Sequence, residues 1–389
     1  MSTRTLRLLT DELSHSDATS NREASAEVVD RGLADEACFT RMVALERKRT
    51  ERSAKPFLLM LIEGRESLRP VNGTQELVQK LALVLKNSIR ETDTVGWYEQ
   101  ERAIGVIFTE VGAADSATMA AILAKIASGL RSQLSAEQMD RLEISLHRYP
   151  EEKEPPQHLD HLVLYPDLPK RDAANRAGHF LKRTIDVAVS GLVLMLFSPL
   201  LLVIVAAIKL TSSGPVLFKQ KRIGQYGIPF TFLKFRSMHV NSDPGIHKEY
   251  VSRLISGEKG LHHETKNDSG GVYKITSDPR VTAVGRLLRR SSLDELPQLW
   301  NVLKGEMSLV GPRPPIPYEF ERYDIWHRRR VLEAKPGITG LWQVTGRSRT
   351  SFDEMVRLDL KYVNSWSVWL DLRILLQTPL VVFSGDGAY

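Results

Sequence analysis

The feature that most constrains this chain is an apolar run from Val187 to Ile208, interrupted near its middle by Ser198-Pro199. A membrane-spanning helix needs roughly 20 predominantly apolar residues, and this run has that length. Proline inside a helix removes one backbone hydrogen bond and clashes with the preceding turn. The sequence therefore predicts a membrane-inserted helix that is broken at Ser198 and Pro199.

Basic residues flank both ends of this run, and no acid lies between Lys209 and Arg236. Basic flanks favour the cytosolic side of a membrane, so a helix over about 184–210 that enters, kinks and leaves on the same side satisfies both ends. From these residues alone, a simple span remains an equal alternative. Backbone groups freed at the break need partners, and the Ser198 hydroxyl is a candidate. The flanking cations are Lys170, Arg171, Arg176, Lys182, Arg183, Lys209, Lys219, Lys221, Arg222, Lys234 and Arg236.

The chain of 389 residues is long enough for two domains. We predict a disordered tail over 1–30, a soluble α/β domain over 31–148, a linker over 149–177 and a membrane-associated domain over 178–389. Buried strands are expected at Phe57–Ile62 and Ile104–Phe108, and helices at Leu77–Ile89 and Ala114–Leu134. The single cysteine, Cys38, excludes an internal disulfide.

Asp294 and Glu295 are adjacent acids that follow a group of arginines, Arg286, Arg289 and Arg290. An ionised carboxylate beside cations suits covalent phosphoryl chemistry, because it can attack phosphorus while the cations hold the anionic substrate. The second acid could bind Mg²⁺ together with substrate phosphates. The same residues also match an S-x-x-E capping box that starts at Ser292, and the pattern alone favours that structural role.

Two further groups of residues suit phosphate binding. Gly311-Pro312-Arg313-Pro314-Pro315 presents Arg313 from a stiff loop. Lys335-Pro336-Gly337-Ile338-Thr339-Gly340 and Gly346-Arg347 combine glycine turns with cations, which is weaker evidence. Lys234 and Arg236 bind phosphate on one interpretation and lie in an interfacial stretch on another.

From about Lys182 to Phe383 the chain resembles the bacterial sugar transferases, the monotopic phosphoglycosyl transferases. The matching segments are dense and follow the family order, and the central one shows no departure. They are KRTIDVAVSG, the apolar helix with Ser198-Pro199, GPVLFKQKRIG, FLKFRSM, TSDPRVTAVGRLLRRSSLDELPQLWNVLKGEMSLVGPRP and KPGITGLWQVTGR.

This resemblance implies a mainly α, monotopic catalytic domain with a re-entrant helix kinked at Ser198 and Pro199, on the cytoplasmic face of a bacterial inner membrane. It implies that Asp294 attacks the β-phosphate of a UDP-sugar and carries a covalent sugar phosphate to undecaprenyl phosphate, with release of UMP. Glu295 would act through Mg²⁺. Phosphate-contacting arginines are implied at Arg289, Arg313 and Arg347. The tail from Ser351 to Phe383, with Trp366 and Trp369, is interpreted either as an interfacial helix or as a core helix.

Residues 31–148 faintly resemble a diguanylate cyclase (GGDEF) domain, which makes the predicted fold an α/β domain in front of the membrane part. The resemblance rests on Phe39, Glu46-Arg47, Pro56-Phe57, Arg90-Glu91-Thr92-Asp93 and the stretch Trp97–Ala103. The signature loop lacks its glycines, so no cyclase activity is expected. Arg90 and Asp93 fall where that family binds cyclic di-GMP, but a surface pair that ends a helix is the alternative we favour.

A non-catalytic membrane scaffold, regulated by a nucleotide bound to the first domain, is the alternative function. The net charge of +6 also fits nucleic acid, but the chain has no recognition helix or zinc spacing, so we expect no nucleic-acid partner. His262 and His263 lie in a stretch expected to be a solvated loop and not a metal site. The extra soluble domain suggests a homodimer. No motif identifies the sugar.

Overall fold

The computed structural model describes residues 33–64, 74–112, 116–150, 159–240, 255, 280–345 and 351–383. Three predictions fall outside these residues: the disordered tail over 1–30, the role of Arg347, and the loop with His262 and His263. The chain divides into two compact units. The first unit comprises the residues up to Glu152 together with Asp160–Arg171. The main part of the second unit begins at Asp172.

The first unit is built on a four-stranded antiparallel sheet with the strand order β2-β3-β1-β4. The central strand β1 is buried on both faces, since its apolar run has no polar alternation. The predicted strands at Phe57–Ile62 and Ile104–Phe108 are confirmed. The strands are β1 (Phe57–Gly64), β2 (Thr94–Glu99), β3 (Ala103–Phe108) and β4 (Leu142–Tyr149).

Within the described residues up to 150, four helices accompany this sheet. The first begins after Asp35, whose carboxylate accepts a hydrogen bond from the Cys38 N–H at 2.7 Å and caps the helix. The helices Thr74–Ser88 and Ser116–Gln133 pack together through their apolar faces against one side of the sheet, as the helical spacing predicts. The helices are α1 (Glu36–Ser53), α2 (Thr74–Ser88), α3 (Ser116–Gln133) and α4 (Ala136–Asp140).

The described part of the predicted linker, from residue 159 onward, is largely helical. It contains a 3₁₀ turn, Leu159–Leu164, and helix α5, Asp167–Ala174. Leu164, Tyr165 and Leu168 are buried, and the Arg47 guanidinium lies 4.3 Å above the Tyr165 ring. These tertiary contacts show that this part of the predicted linker is folded, although its prolines and charges hide the short apolar pattern. The domain boundaries themselves stay a prediction.

The second unit begins with two helices that meet at an angle of 63°. They are α6 (Arg176–Leu196) and α7 (Ser198–Thr211), and Pro199 lies in the first turn of α7. The predicted break is therefore confirmed. The Ser198 hydroxyl donates to the carbonyl of Met195 at 2.8 Å, which satisfies one backbone group at the bend, as expected from the sequence.

By length and composition, no single helix among the described residues could cross a membrane, but this bent pair could form a broken span or a re-entrant loop. Apolar side chains are exposed along both arms, for example Met195 and Leu202. The first arm is anchored by the buried Asp186, which accepts hydrogen bonds from Ser308 Oγ at 3.1 Å and Leu309 N at 2.9 Å.

The rest of the second unit is mainly helical, with an antiparallel hairpin β5–β6 and a short parallel pair β7–β8. The hairpin follows α7 directly and places alternate side chains on opposite faces. The strands are β5 (Leu217–Ile223), β6 (Pro229–Phe235), β7 (Ser308–Val310) and β8 (Gly337–Thr339). The helices are α8 (Ala283–Arg290), α9 (Gln298–Lys304), α10 (Pro317–Arg322), α11 (Ile325–Leu332) and α12 (Leu341–Thr345).

The C-terminal region forms two helices, α13 (Phe352–Asn364) and α14 (Val368–Phe383). The two predicted interfacial tryptophans differ in their surroundings. Trp366 stacks on His179 with ring centroids 4.7 Å apart, whereas Trp369 is 75% exposed. Only Trp369 therefore has the exposure expected of an interfacial anchor.

Candidate active site

The two adjacent acids lie on a tight turn between α8 and α9. Residues Leu293–Glu295 form a single 3₁₀ turn, and Ser292 adopts a left-handed backbone conformation with φ of 56°. In that conformation the Ser292 side chain makes no capping hydrogen bond, so the capping-box prediction was wrong. An N-cap residue normally has an extended backbone, and the left-handed conformation of Ser292 departs from that geometry.

The ammonium of Lys234 contacts both acids. Its ammonium lies 3.1 Å from Oδ2 of Asp294 and 3.1 Å from Oε1 of Glu295. The Asp294 side chain is only 6% exposed, while that of Glu295 is 34% exposed. A buried carboxylate is tolerated when a cation pairs with it, so this contact offsets part of the cost of burying Asp294.

Lys234 comes from strand β6, and its position follows from the strand period. Phe230, Phe232 and Lys234 alternate along β6 and share one face. The two phenylalanines are buried in an apolar cluster with Leu299 of the helix that follows the acids. Packing of these rings fixes the strand, and the strand carries the ammonium to the acid turn.

Arg289 is held beside the same strand. Its Nε donates to Ser237 Oγ at 2.9 Å, and Ser237 follows the end of β6. At Gly285 a Cβ atom would overlap the Ser237 carbonyl oxygen, so only glycine permits this close approach of α8. The sequence indicated Arg289 through the family resemblance, but it gave no signal for Ser237.

The Gly311–Pro315 loop is fixed by close backbone packing. Gly311 N donates to the Thr339 carbonyl at 2.9 Å, and Gly337 N donates to the Pro312 carbonyl at 2.9 Å. The KPGITG segment thus serves largely as strand β8, paired with the strand that leads into the loop. Arg313 projects from this loop and is half-buried.

Arg222, identified from the sequence only as one of the basic flanking residues, is buried under this loop. Its Nη1 donates to the Pro314 carbonyl at 2.7 Å, and its guanidinium lies 4.2 Å above the Phe232 ring. Burial and the neighbouring Arg313 lower the pKa of Arg222 to about 10, and Glu319 and Glu295 oppose that shift. Arg222 therefore stays charged at neutral pH, and Arg313 and Glu295 both lie within its electrostatic reach.

Arg236, the second cation of the Lys234–Arg236 stretch, contacts the end of α7. It is buried, and its Nη2 donates to the carbonyl and hydroxyl oxygens of Ser212, each at 2.8 Å. Ser212 is at the C-terminal end of α7, where unpaired carbonyls favour a cation. The structure thus shows Arg236 capping the end of α7 through Nη2, and its phosphate-binding role stays a prediction.

In the first unit, Asp93 is engaged by main-chain groups. Its carboxylate accepts from Arg90 N at 2.9 Å and from Thr109 N at 3.1 Å. This matches the alternative in which Arg90 and Asp93 form a turn after helix α2. Binding of cyclic di-GMP by this pair remains a prediction.

A resident metal would have to be held by few protein ligands. Among the described residues no group of three or more His, Cys, Asp or Glu side chains could hold an ion. The pair Asp294 and Glu295 still suits Mg²⁺, since this ion binds through one or two carboxylates and takes its other ligands from water and substrate phosphates. The hard oxygen donors of this pair fit that requirement.

Comparisons with solved structures relate the first unit to diguanylate cyclase domains. A protein from Thermotoga maritima shows 21% identity and a TM-score of 0.25, covering 32% of this chain and 86% of that one. The GGDEF domain of DgcB from Caulobacter crescentus shows 14% identity and a TM-score of 0.24, covering 35% of this chain and 78% of that one. At these TM-scores the likeness supports no inference about the fold or the function.

Comparisons of sequence concern the second unit. An undecaprenyl-phosphate galactose phosphotransferase of Salmonella typhimurium is 43% identical over 222 residues, which are 57% of this chain and 44% of that protein. The exopolysaccharide production protein ExoY of Rhizobium meliloti is 39% identical over 226 residues, which are 57% of this chain and 94% of that protein. The chain thus spans less than half of the first relative's length and nearly all of the second's.

The model of one protein family, the bacterial sugar transferases, matches residues 177–385. This range covers more than half of the chain and contains the bent helix pair, the acid turn with Lys234, and the loop that carries Arg313. The chain therefore belongs to the bacterial sugar transferase family.

Proposed function

We propose that this chain transfers a hexose-1-phosphate from a UDP-sugar to undecaprenyl phosphate, or a related polyprenyl phosphate, and releases UMP. A carboxylate oxygen of Asp294 attacks the β-phosphorus. The bond from that phosphorus to the oxygen shared with the α-phosphate breaks, and its electron pair leaves with UMP. The sugar phosphate is then bonded to Asp294.

In the second step, a phosphate oxygen of the polyprenyl phosphate attacks the same phosphorus. The bond between phosphorus and the Asp294 oxygen breaks, which restores the carboxylate and gives a polyprenyl diphosphate sugar. Donor and acceptor therefore react in turn at one residue, which predicts ping-pong kinetics.

The observation that carries this proposal is the acid turn under one cation. Asp294 and Glu295 lie side by side, each with an oxygen 3.1 Å from the Lys234 ammonium. A carboxylate attacks phosphorus only as the anion, and an anionic diphosphate repels it. Lys234 reduces that repulsion by placing a positive charge beside both acids.

Arginines would hold the substrate phosphates around this turn. Arg289, fixed by Ser237, and Arg313, on the glycine-proline loop, supply guanidinium forks that suit phosphate oxygens. Arg347 has the same proposed role from its sequence position. Glu295 would hold Mg²⁺, which when bound neutralises part of the diphosphate charge. Its more exposed side chain leaves it accessible to the ion.

The bent helix pair supports a monotopic placement on the cytoplasmic face of a bacterial inner membrane. Its 63° bend and its basic flanks are the features that favour a re-entrant loop over a broken span. A membrane lipid surface would also bring the polyprenyl chain of the acceptor to the site. The second unit would then face both a soluble donor and a lipid acceptor.

The relatives suggest the pathway class and the donors to test. One is named a galactose phosphotransferase, and one from Caulobacter vibrioides is named a UDP-glucose:undecaprenyl-phosphate glucose-1-phosphate transferase, at 41% identity over 54% of this chain and 72% of that protein. We propose that the chain starts synthesis of an exopolysaccharide, a capsule or an O-antigen. UDP-galactose and UDP-glucose are the first donors to try.

The second candidate is a non-catalytic scaffold whose first unit senses a nucleotide, such as cyclic di-GMP, or forms a homodimer. A scaffold has no need for a buried acid paired with a cation, because such a pair costs desolvation energy. The Asp294–Lys234 contact therefore favours the enzyme.

The experiment is UMP release by the detergent-solubilised protein with Mg²⁺ and undecaprenyl phosphate, across a panel of UDP-sugars. Asp294→Asn should abolish turnover, since it removes the attacking anion. Asp324→Asn is the matched control, because the Asp324 side chain is 75% exposed at the start of α11 and asparagine also caps a helix.

Mass spectrometry of the protein incubated with donor alone provides a second reading. A hexose phosphate attached to the peptide that contains Asp294 supports the covalent step. Near-normal UMP release by Asp294→Asn would refute the assignment of the nucleophile. Absence of UMP release by folded wild-type protein with every donor would favour the scaffold.

A further inference from the structure

Arg222 is held by several contacts near the proposed site. Its Nη1 donates to the Pro314 carbonyl at 2.7 Å. Its Nε and Nη2 donate to Gln220 Oε1 at 3.1 and 3.0 Å, and Phe232 packs under its plane at 4.2 Å. These contacts fix the guanidinium on all sides, so it is not available as a mobile ligand for a substrate.

Arg222 in turn fixes the loop that carries Arg313. The side chain of Arg222 binds the Pro314 carbonyl, and the next main-chain N–H, that of Ile223, donates to the Pro315 carbonyl at 2.9 Å. Two successive carbonyls of the loop are therefore tied to the end of β5. Arg313 directly precedes them, so its direction depends on this attachment.

The hairpin connects this attachment to the acid turn. Arg222 pairs with Phe230 across the two strands, and Phe218 pairs with Lys234, so Arg222 and Lys234 project from the same face of the ribbon. One rigid two-stranded element thus carries Lys234, which binds the acids, and Arg222, which binds the loop. The spacing between the nucleophile and the phosphate-binding loop is set by this element.

We propose that Arg222 is a positioning residue of the transferase site, which fixes the Pro314 carbonyl and thereby orients Arg313 toward the diphosphate of the donor. The inference rests on the proposed function. It assigns Arg222 no contact with substrate. Its effect passes through Arg313.

Lysine cannot replace Arg222 in this role. A guanidinium donates from Nη1 to one partner and from Nε and Nη2 to another in one plane, and it stacks on an aromatic ring. An ammonium has the charge but lacks the planar fork. Arg222→Lys should leave the main-chain bond from Ile223 in place, so the fold is retained while the loop loses its side-chain attachment.

The test is a double-mutant cycle between Arg222→Lys and Arg313→Ala, with the kcat/KM of UMP release as the readout. In the wild-type background, Arg222→Lys should lower kcat/KM about tenfold to a hundredfold, as expected for loss of one charge-assisted hydrogen bond. The loss should appear mainly in KM for the UDP-sugar, because Arg313 would hold the donor before and during the reaction.

In the Arg313→Ala background, the same substitution should change kcat/KM by less than about threefold, since the residue through which Arg222 acts is already absent. Equal effects in both backgrounds would overturn the proposal.

Gln220→Met tests the same positioning role by a second substitution. It keeps the volume of the side chain and removes the acceptor that orients Arg222, so a smaller rise in KM is expected.

The cycle is also measured in the affinity for UDP by titration calorimetry, which needs no turnover. If the wild type binds UDP but releases no UMP, the proposed function fails, whereas coupling in UDP affinity still supports the positioning role. Additive effects on UDP affinity overturn that role whatever the turnover. Failure of the wild type to bind UDP overturns both.

Lys221→Arg is the matched control. Lys221 is the neighbour of Arg222, on the opposite and exposed face of β5, so the reverse exchange of the same two residue types should leave KM and UDP affinity unchanged. Melting temperatures of all variants show whether the fold is retained. A loss of UDP affinity in Lys221→Arg equal to that in Arg222→Lys would overturn the specific role of Arg222.

Discussion

The buried ion pair between Arg330 of α11 and Asp359 of α13 should make single and paired substitutions differ sharply. Arg330 Nη1 lies 2.6 Å from Asp359 Oδ2, and the two side chains are 2% and 1% exposed. Arg330 also donates to the Tyr323 hydroxyl at 2.6 Å. Burial raises the pKa of Asp359 to about 6 in spite of the attraction of Arg330, which indicates a large desolvation cost.

Asp359→Ala would leave a buried guanidinium without its counter-ion, and breaking such a pair costs about 3–5 kcal/mol. For a unit of this size that loss corresponds to a fall in melting temperature of about 6–20 °C. Arg330→Met combined with Asp359→Leu removes both charges and their desolvation cost. We expect the double variant to lie within about 1 kcal/mol of the wild type, or to be more stable.

Urea unfolding in mild detergent, followed by tryptophan fluorescence, measures these differences, because Trp326 and Trp342 lie in the apolar cluster around this pair. Arg357→Ala, an exposed arginine on the same helix α13, is the control and should change stability by less than about 0.5 kcal/mol. A single variant that costs less than about 1 kcal/mol would refute the reasoning. So would a double variant that costs as much as Asp359→Ala.

Three further predictions concern other parts of the second unit. Lys234→Met should lower kcat/KM for UMP release at least about a hundredfold while the protein stays folded, since the acids lose their shared cation; near-normal turnover would contradict this role. Gly285→Ala should lower the free energy of unfolding in urea by about 1–3 kcal/mol, because its Cβ would overlap the Ser237 carbonyl. Gly191→Ala is the control: a Cβ there meets no atom within 4 Å, so the free energy of unfolding should not fall. Burial lowers the pKa of His327 from its usual 6.5, so its stabilising contribution is complete above about pH 6.5 and is lost as the pH falls. The stability of His327→Gln, measured by unfolding across this pH range, should lack this acid-dependent loss. A variant with the same pH dependence as the wild type would contradict the prediction.

The sequence determined the features that depend on neighbouring residues. The apolar run with Ser198-Pro199 specified two helical arms and the break between them, because proline acts on its own turn. The continuous apolar run from Phe57 specified a strand buried on both faces. The adjacency of Asp294 and Glu295 is covalent, so the candidate pair could be identified directly, and the dense motifs indicated the family before any fold was known.

Local pattern failed where two structures compete for the same residues. Ser292 and Glu295 fit a capping box, but Ser292 adopts a left-handed conformation and makes no capping hydrogen bond. The segment near Tyr165 and Leu168 was interpreted as a linker, yet burial of these side chains orders it. In this second segment, contacts made by distant residues outweighed the local preference.

Only the tertiary structure decided which partner each cation meets. Lys234 and Arg236 are two residues apart and carry the same charge, yet one binds the acid turn and the other caps the end of α7. Arg222 meets a carbonyl 92 positions away. Charge and spacing name the residues that can bind an anion, but long-range packing fixes where each side chain ends, since it brings together segments that are far apart in the chain.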